Sequence, residues 1–342
     1  MRPTSTRGPG FDTALLKGQV PMGQRISLVM PFLCVAVVAA CDSPTTPGDV
    51  AVVRDTVTVM TYNIFHDGEN AGQGITAWPQ RRDAVVGIIR SHAPDVLGLQ
   101  EAEVWQVAWL LDQLQEYAAV ARGLYANPAI VDAETVAILY REDEFGLQES
   151  GHFWYSESPD SPGSFGTQSF GGLHTPRMAT WVRLRRTDST SFYVFNTHFA
   201  ADASADDPGR ARFKSAELLV QRIANRSHTN EYFFAIGDLN QPPGDWPLMY
   251  LLGDRCASGV ACAVPPPVPE FRMIDAWAAQ HPGDDAGTRC NAATGGDGPR
   301  VDYVLVGNPA PLPAPSISDA EIAPWGSGCP SDHRPVVATI IM

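Results

Sequence analysis

Tyr232-Phe233-Phe234-Ala235-Ile236-Gly237-Asp238-Leu239-Asn240 is the stretch on which the reading of this chain turns. An apolar run of strand length climbs to Gly237 and then presents a carboxylate and an amide two positions apart. Alternate side chains of an extended backbone share a face, so Asp238 and Asn240 emerge side by side at the strand end. Gly237 leaves room for a close approach to the backbone there. One carboxylate beside one amide can position a water, share a cation, or both. Alone, the string is also ordinary turn chemistry. It gains meaning because other segments finish in the same way.

Working outward, Thr56 to Ile64 is a β-rich run carrying Asn63, and Asp95 to Glu101 is a buried-strand run ending in Glu101. Ser191 to Phe199 carries His198, and Val301 to Val306 carries Asp302. Val336 to Ile341 is introduced by Asp332-His333. Thr135 to Arg141 and Thr180 to Arg185 complete the strand-like segments. Between them, Pro79 to Ser91, Val104 to Tyr117 and Arg210 to Asn225 have helical apolar spacing. Strands and helices mixed along one span, with no linker between halves, predict a single α/β domain. Ser156 to Pro176, 202–209 and 242–269 read as loops, where specificity usually resides.

If the strand ends share a rim, one cleft receives Glu101, Asp238, Asp302, Asp332, Asn63, Asn240, His198 and His333. Such an oxygen-rich set beside imidazoles suits Mg²⁺, Mn²⁺ or Ca²⁺ rather than zinc. Each residue has a plainer alternative. Asn63 and the aspartates can tie turns, Glu101 can open the helix that follows, and His198 can be a satisfied polar residue at a strand end.

The 342-residue chain has 44% hydrophobic residues, enough for a substantial core, and a net charge of −14. Residues 1–41 hold four of the 24 Lys and Arg and one of the 38 Asp and Glu, leaving 20 against 37, or −17, for the remainder. That balance argues against tracking along nucleic acid through a basic face, although a bound dication inverts the local field.

The N-terminal composition has its own meaning. From Met22, an alternative start, Arg25 precedes an apolar stretch from Ile26 to Ala40, a secretory signal too short to span a bilayer comfortably. Val38-Ala39-Ala40-Cys41 resembles the lipobox of bacterial lipoproteins, which implies cleavage before Cys41 and lipidation of it; an ordinary signal peptide is the alternative. The expected organisation is a signal over 1–41, a tether over 42–55 and one domain over 56–342. Four cysteines remain, Cys256, Cys262, Cys290 and Cys329; structural disulfides with three possible pairings are expected in preference to a zinc site.

Thr-Tyr-Asn63-Ile, Leu-Gln-Glu101, Asn-Thr-His198, Gly-Asp238-Leu-Asn240, Arg-Val-Asp302-Tyr and Ser-Asp332-His333-Arg-Pro together resemble the endonuclease/exonuclease/phosphatase superfamily, in that family's order. It includes DNase I-like nucleases, sphingomyelinases and inositol-polyphosphate phosphatases. The resemblance covers roughly residues 56–342 and implies a four-layered α/β/β/α sandwich of two mostly antiparallel sheets. It assigns Glu101, with Asn63 and Asp332, to the metal. Asp238 orients or deprotonates the attacking water, Asn240 holds that water or a phosphate oxygen, and His333 paired with Asp302 contacts the phosphate. His198 is a second phosphate ligand or the acid for the leaving oxygen. Arg177 and Arg212 are candidate phosphate-binding residues, with a solvated or carboxylate-paired arginine as the alternative. Leu239 stands where the family frequently has Phe.

The expected protein is an exported, lipid-anchored monomer that hydrolyses phosphate esters with a divalent metal, as a phosphodiesterase or phosphatase. An extracellular nuclease, with nucleic acid entering only as substrate, and a non-catalytic surface lipoprotein are the alternatives.

Overall fold

The computed structural model describes residues 56–68, 74–187, 190–253, 272–284, 286–291, 296–307, 312–324 and 329–342. The signal segment, Cys41, the tether, Cys256 and Cys262 lie outside them.

In chain order, β1 (Thr56–Asn63), α1 (Trp78–His92), β2 (Val96–Glu103), α2 (Val104–Gln113), β3 (Tyr117–Val120) and β4 (Glu134–Arg141) form the first half. β5 (Phe145–Trp154), β6 (Met178–Arg186), β7 (Ser191–His198), α3 (Pro208–Ala224), β8 (Tyr232–Asp238) and α4 (Trp246–Leu251) follow. The chain continues through β9 (Met273–Asp275), α5 (Ala276–Gln280), β10 (Cys290–Asn291) and β11 (Gly296–Asp297). It ends with β12 (Asp302–Gly307), β13 (Ser316–Ile322) and β14 (Val336–Ile341).

The strands make two six-stranded sheets, ordered β13-β14-β1-β2-β4-β3 and β5-β6-β7-β8-β12-β9. Each has one parallel pairing, β1 with β2 and β7 with β8, and is otherwise antiparallel. Apolar side chains on the facing surfaces, among them Val59, Ile138, Val194, Phe234 and Val304, form the central core. The outer face of the first sheet packs against α1 and α2 through Tyr62, Val85, Leu97 and Leu110. That of the second packs against α3 through Phe195, Phe233, Leu219 and Ile223. The expected four-layered sandwich is the observed architecture.

Period-two alternation explains how the core becomes a site. Val57, Val59, Thr61 and Asn63 follow one another on the inward face of β1, as do Phe192, Val194, Asn196 and His198 on β7. Phe234, Ile236 and Asp238 do so on β8. All of these residues are buried, so one edge of the sandwich passes from apolar to polar without leaving the interior.

Two expectations need correction, the first being the loop read over 242–269, within which Trp246–Leu251 form α4. The second helix ends at Gln113 rather than Tyr117, because Tyr117 turns away as the first residue of β3 and its hydroxyl donates to Pro94 O at 2.5 Å. β5 and β13 carry no sequence signal of a strand. Both are edge strands with one face exposed, so neither needs a continuous apolar run.

Gly237 has φ +139°, and a Cβ there would be driven into the Thr197 carbonyl of the neighbouring β7. The glycine thus lets β7 and β8 approach closely just before Asp238. Gly237→Ala is expected to destabilise the protein by about 3 kcal/mol or more, measured by urea denaturation; a change below about 1 kcal/mol would mean that the strand pair yields easily.

Candidate active site

Residues from six separate segments meet at the polar edge. Asn63, at the end of β1, turns its carboxamide across the gap between the sheets: Nδ2 donates to Glu101 Oε1 at 2.9 Å and to Asp238 Oδ2 at 3.1 Å. Its Oδ1 accepts from Phe65 N at 3.1 Å, so Asn63 both ties its own loop and organises the site. Glu101 lies at a β-bulge in β2 with φ +60°, a left-handed conformation unfavourable for a non-glycine residue and characteristic of functional positions. It does not open α2; Glu103 does, through a capping box with Gln106.

Asp238 is the shared member of two clusters. With Glu101 and His198, and again with Asp302 and His333, it offers ligand atoms lying within 4.8 Å of one another. His198 Nε2 is 3.5 Å from Asp238 Oδ2 and 3.9 Å from Glu101 Oε1. Asn240, with φ +49°, donates its backbone N–H to Asp238 Oδ1 at 2.8 Å, and its Nδ2 lies 3.2 Å from His198 Nε2. His333 Nδ1 and Asp302 Oδ2 are 2.7 Å apart, and both side chains are fully buried. The Asp302 contact places the imidazole with Nε2 toward Asp238, 3.7 Å away.

The electrostatics follow from this burial. Desolvation pushes the Glu101 carboxyl up to about 8, with the Asp332 charge adding to it, and pushes Asp238 up to about 6. Burial pulls His333 down, but the charges of Asp302, Asp238 and Asp332 outweigh it and lift the imidazole to about 10. His198 moves the opposite way, held well below its ordinary value by burial and by the Arg177 guanidinium. Arg177 Nη1 sits 3.0 Å from His198 Nδ1, a contact that requires a ring nitrogen with a free lone pair. The neutral His198 is therefore a poor acid for a leaving oxygen, and with Nδ1 accepting from Arg177 its Nε2–H fits the role of a second phosphate ligand.

The donor set suits a dication. Asp302 Oδ1 is buried without a hydrogen-bond partner, and Glu101 and Asp238 share a single amide nitrogen between them. A positive charge at this point would relieve both ionised carboxylates. Asp332 is buried beside the group and raises Glu101 through its charge, although it is outside the two tight clusters.

Arg212 takes the carboxylate-paired alternative. Its Nη1 donates to Ala200 O at 3.2 Å and Asp202 Oδ1 at 2.8 Å, so it secures the segment after His198 rather than reaching the carboxylates and imidazoles. Two arginines without a recognisable motif also matter. Buried Arg81, from α1, donates to the carbonyls of Ile64, Phe65, His66, Thr76 and Pro330, holding the loop after Asn63 against the segment before Asp332. Arg289 Nε lies 3.3 Å from His333 Nε2. Arg289 Nε–H is directed at Nε2 as acceptor, so protonation of His333 there turns the bond into a donor–donor contact and frees the guanidinium for another acceptor. Of the cysteines, Cys290 and Cys329 are disulfide-bonded, which meets the expectation of structural disulfides for this pair.

Residues 60–333 match the Endonuclease/Exonuclease/phosphatase family, and the chain belongs to that family. Among solved structures, an endonuclease/exonuclease/phosphatase from Bacteroides vulgatus is similar at 24% identity, with TM-score 0.65 over 84% of this chain and 99% of that one. A mannosyl-6-phosphatase from Bacteroides thetaiotaomicron is similar at 21% identity, with TM-score 0.64 over 84% of this chain and 100% of that one. In sequence, the uncharacterized protein L388 of Acanthamoeba polyphaga mimivirus is 23% identical over 190 residues, covering 53% of this chain and 66%, just under two thirds, of the viral protein.

Raised proton affinity at Glu101, Asp238 and His333 has one sign for stability. In metal-free protein, the folded state holds protons that the unfolded chain releases, so stability falls as pH rises from about 4 through 6 and 8 toward 10. Glu101→Gln keeps an acceptor for Asn63 and removes the buried charge. It should raise the stability of chelator-treated protein at pH 8 by on the order of 2 kcal/mol and flatten the pH dependence between about 4.5 and 8. Thermal unfolding across that range checks this; a less stable variant would overturn the account of Glu101.

Proposed function

We propose that this protein is a divalent-metal-dependent hydrolase of small phosphate esters, exported and lipid-anchored through Cys41 outside the cytoplasmic membrane of a bacterium. The observation that carries the catalytic reading is Asp238, a buried carboxylate common to a metal-type cluster with Glu101 and His198 and to an acid/base cluster with Asp302 and His333.

Glu101, Asn63 and Asp332, with Asp238 adjacent, are the residues that would hold the cation; Mg²⁺ or Mn²⁺ suits their oxygen chemistry, with Ca²⁺ as a further candidate. When bound, such an ion supplies positive charge to the phosphate oxygens and the departing group. Asp238, titrating near neutrality, accepts the proton of the attacking water. Asn240, anchored through its backbone to Asp238, orients that water or a phosphate oxygen through its carboxamide. His333, fixed by Asp302, presents Nε2–H to the phosphate and stabilises charge as it accumulates. Arg177 keeps His198 neutral and oriented.

A small substrate is favoured by the net charge of −17 outside residues 1–41, which repels long polyanions. The structural likeness to a mannosyl-6-phosphatase is in keeping with a phosphorylated small molecule. Export is supported by the signal-like segment ending at Cys41 and by the Cys290–Cys329 disulfide, a bond that persists in oxidising compartments.

Purified protein from residue 42 onward is expected to hydrolyse a sugar phosphate, an inositol phosphate or a bis-aryl phosphate with Mg²⁺ or Mn²⁺ and to stop with chelator. Asp238→Asn and His333→Ala should each lower kcat by about 10³-fold or more while remaining folded. Confinement of activity to plasmid DNA or RNA would replace this reading with a nuclease, and activity of Asp238→Asn equal to wild type would remove the mechanism. In cells, the full-length chain should enter the detergent phase on Triton X-114 partitioning, and Cys41→Ala should move to the aqueous phase. Aqueous partitioning of the wild type would refute the anchor.

A further inference from the structure

The hydrolytic scheme leaves out one cation, Arg289, and one covalent bond, Cys290–Cys329. Arg289 is half-buried, with Nε 3.3 Å from His333 Nε2, and its backbone pairs with that of His333 in an antiparallel bridge. Other arginines near the site are committed elsewhere: Arg81 to backbone carbonyls, Arg300 to Asp275 at 2.6 Å, and Arg212 to Asp202. Among the described residues, no carboxylate forms an ion pair with Arg289, while its charge is felt at both Asp238 and His198. A guanidinium has five N–H donors in a planar fork that fits phosphate oxygens, and the imidazole occupies one.

The position of this arginine depends on its neighbour. Cys290 N donates to Asp332 O at 2.7 Å, and its sulfur is joined to Cys329, 39 residues away in sequence. On its N-terminal flank Arg289 is held by buried Thr288, whose carbonyl accepts from Arg334 N at 2.6 Å, while the hairpin beyond it has only two residues in each strand, β10 and β11. The opposite partner is secured independently. Ser331 Oγ donates to Asn63 O at 2.6 Å, His333 binds Asp302, and Arg334 Nε donates to Ala323 O at 2.9 Å. The disulfide therefore restrains the C-terminal flank of Arg289, at Cys290, as Thr288 restrains the other.

We propose that Arg289 contacts the substrate phosphate beside His333, and that the Cys290–Cys329 disulfide is the positioning device that holds it there. This inference rests on the hydrolase reading above. A guanidinium fork on the phosphate strengthens binding of a dianionic terminal phosphate more than that of a monoanionic diester, so Arg289 also biases the site toward monoesters.

The test uses Mg²⁺-loaded protein with p-nitrophenyl phosphate, bis-p-nitrophenyl phosphate and inorganic phosphate as competitive inhibitor. Arg289→Ala should raise the phosphate Ki and the monoester KM by about tenfold or more, change the diester KM less, and leave the melting temperature nearly unchanged. Arg289→Lys should recover part of the loss, restoring charge without the fork. Cys290→Ser/Cys329→Ser should reproduce the Arg289→Ala kinetics, and adding Arg289→Ala to that pair should cause little further loss, since coupled residues are non-additive. Unchanged phosphate Ki and monoester KM in Arg289→Ala, with wild-type hydrolysis normal, would overturn the proposal and leave the hydrolase reading intact. Multiplying losses in the triple variant would overturn the role of the disulfide. A wild type that neither hydrolyses these esters nor binds phosphate would remove the hydrolase reading and this inference with it.

Discussion

The organisation of the molecule depends on one buried amide. Asn196, on the inner face of β7 in the second sheet, donates through Nδ2 to Leu99 O at 2.9 Å and Ala137 O at 2.7 Å in the first sheet. Its Oδ1 accepts from Gln100 Nε2 at 2.6 Å, and the same Gln100 nitrogen lies 3.0 Å from Thr61 Oγ1. Apolar packing is non-directional and would tolerate small slips between the sheets, whereas an amide bonded to two backbone carbonyls fixes their relative position. Gly98 is the counterpart on β2, since a Cβ there would meet the Asn196 carboxamide within 2.8 Å.

That fixed spacing allows charged groups to meet just beyond. Asn63 can touch both Glu101 in the first sheet and Asp238 in the second because Asn196, one layer deeper, has already set the gap. The interior thus grades from aliphatic to amide to carboxylate and imidazole. Carboxylates at the end of this gradient are desolvated on the side facing the core, which is why burial is the largest influence on Glu101 and Asp238. A fold that places Asp302, Asp238 and Glu101 together without a neutralising side chain for each sacrifices stability for function, a pattern expected of sites that receive a cation or a phosphate.

Much of this was legible in the sequence because the polar residues interrupt strands that are otherwise apolar. Asn63, Glu101, His198, Asp238, Asn240, Asp302 and His333 each stand at such a break, and all come together. Arg212 took the carboxylate-paired place that the sequence left open, because an arginine on a helix carries no trace of which way it will reach. Arg81 and Arg289 were silent for a related reason: their roles come from carbonyls and an imidazole that only the tertiary fold brings near. The amide layer was hidden in plain view, as Gln100 and Asn196 sit inside recognised strings while their pairing joins strands 96 residues apart. Edge strands β5 and β13 escaped since a strand with one solvated face and one neighbour has little periodic constraint.

Charge distribution links the fold to the kind of ligand it can accept. Outside the site the chain is acidic, so an anionic substrate gains nothing from long-range steering and is attracted only within about one Debye length of the cleft. There, Arg289 and His333 share the neighbourhood of Asp238 with the carboxylates of Glu101 and Asp332. An anion entering without a cation would meet the carboxylates uncompensated, and a cation entering alone would leave the donors unpaired. The two halves are complementary only when both are filled, so metal and phosphate should each strengthen the binding of the other, as linkage requires of any two ligands that share a favourable contact.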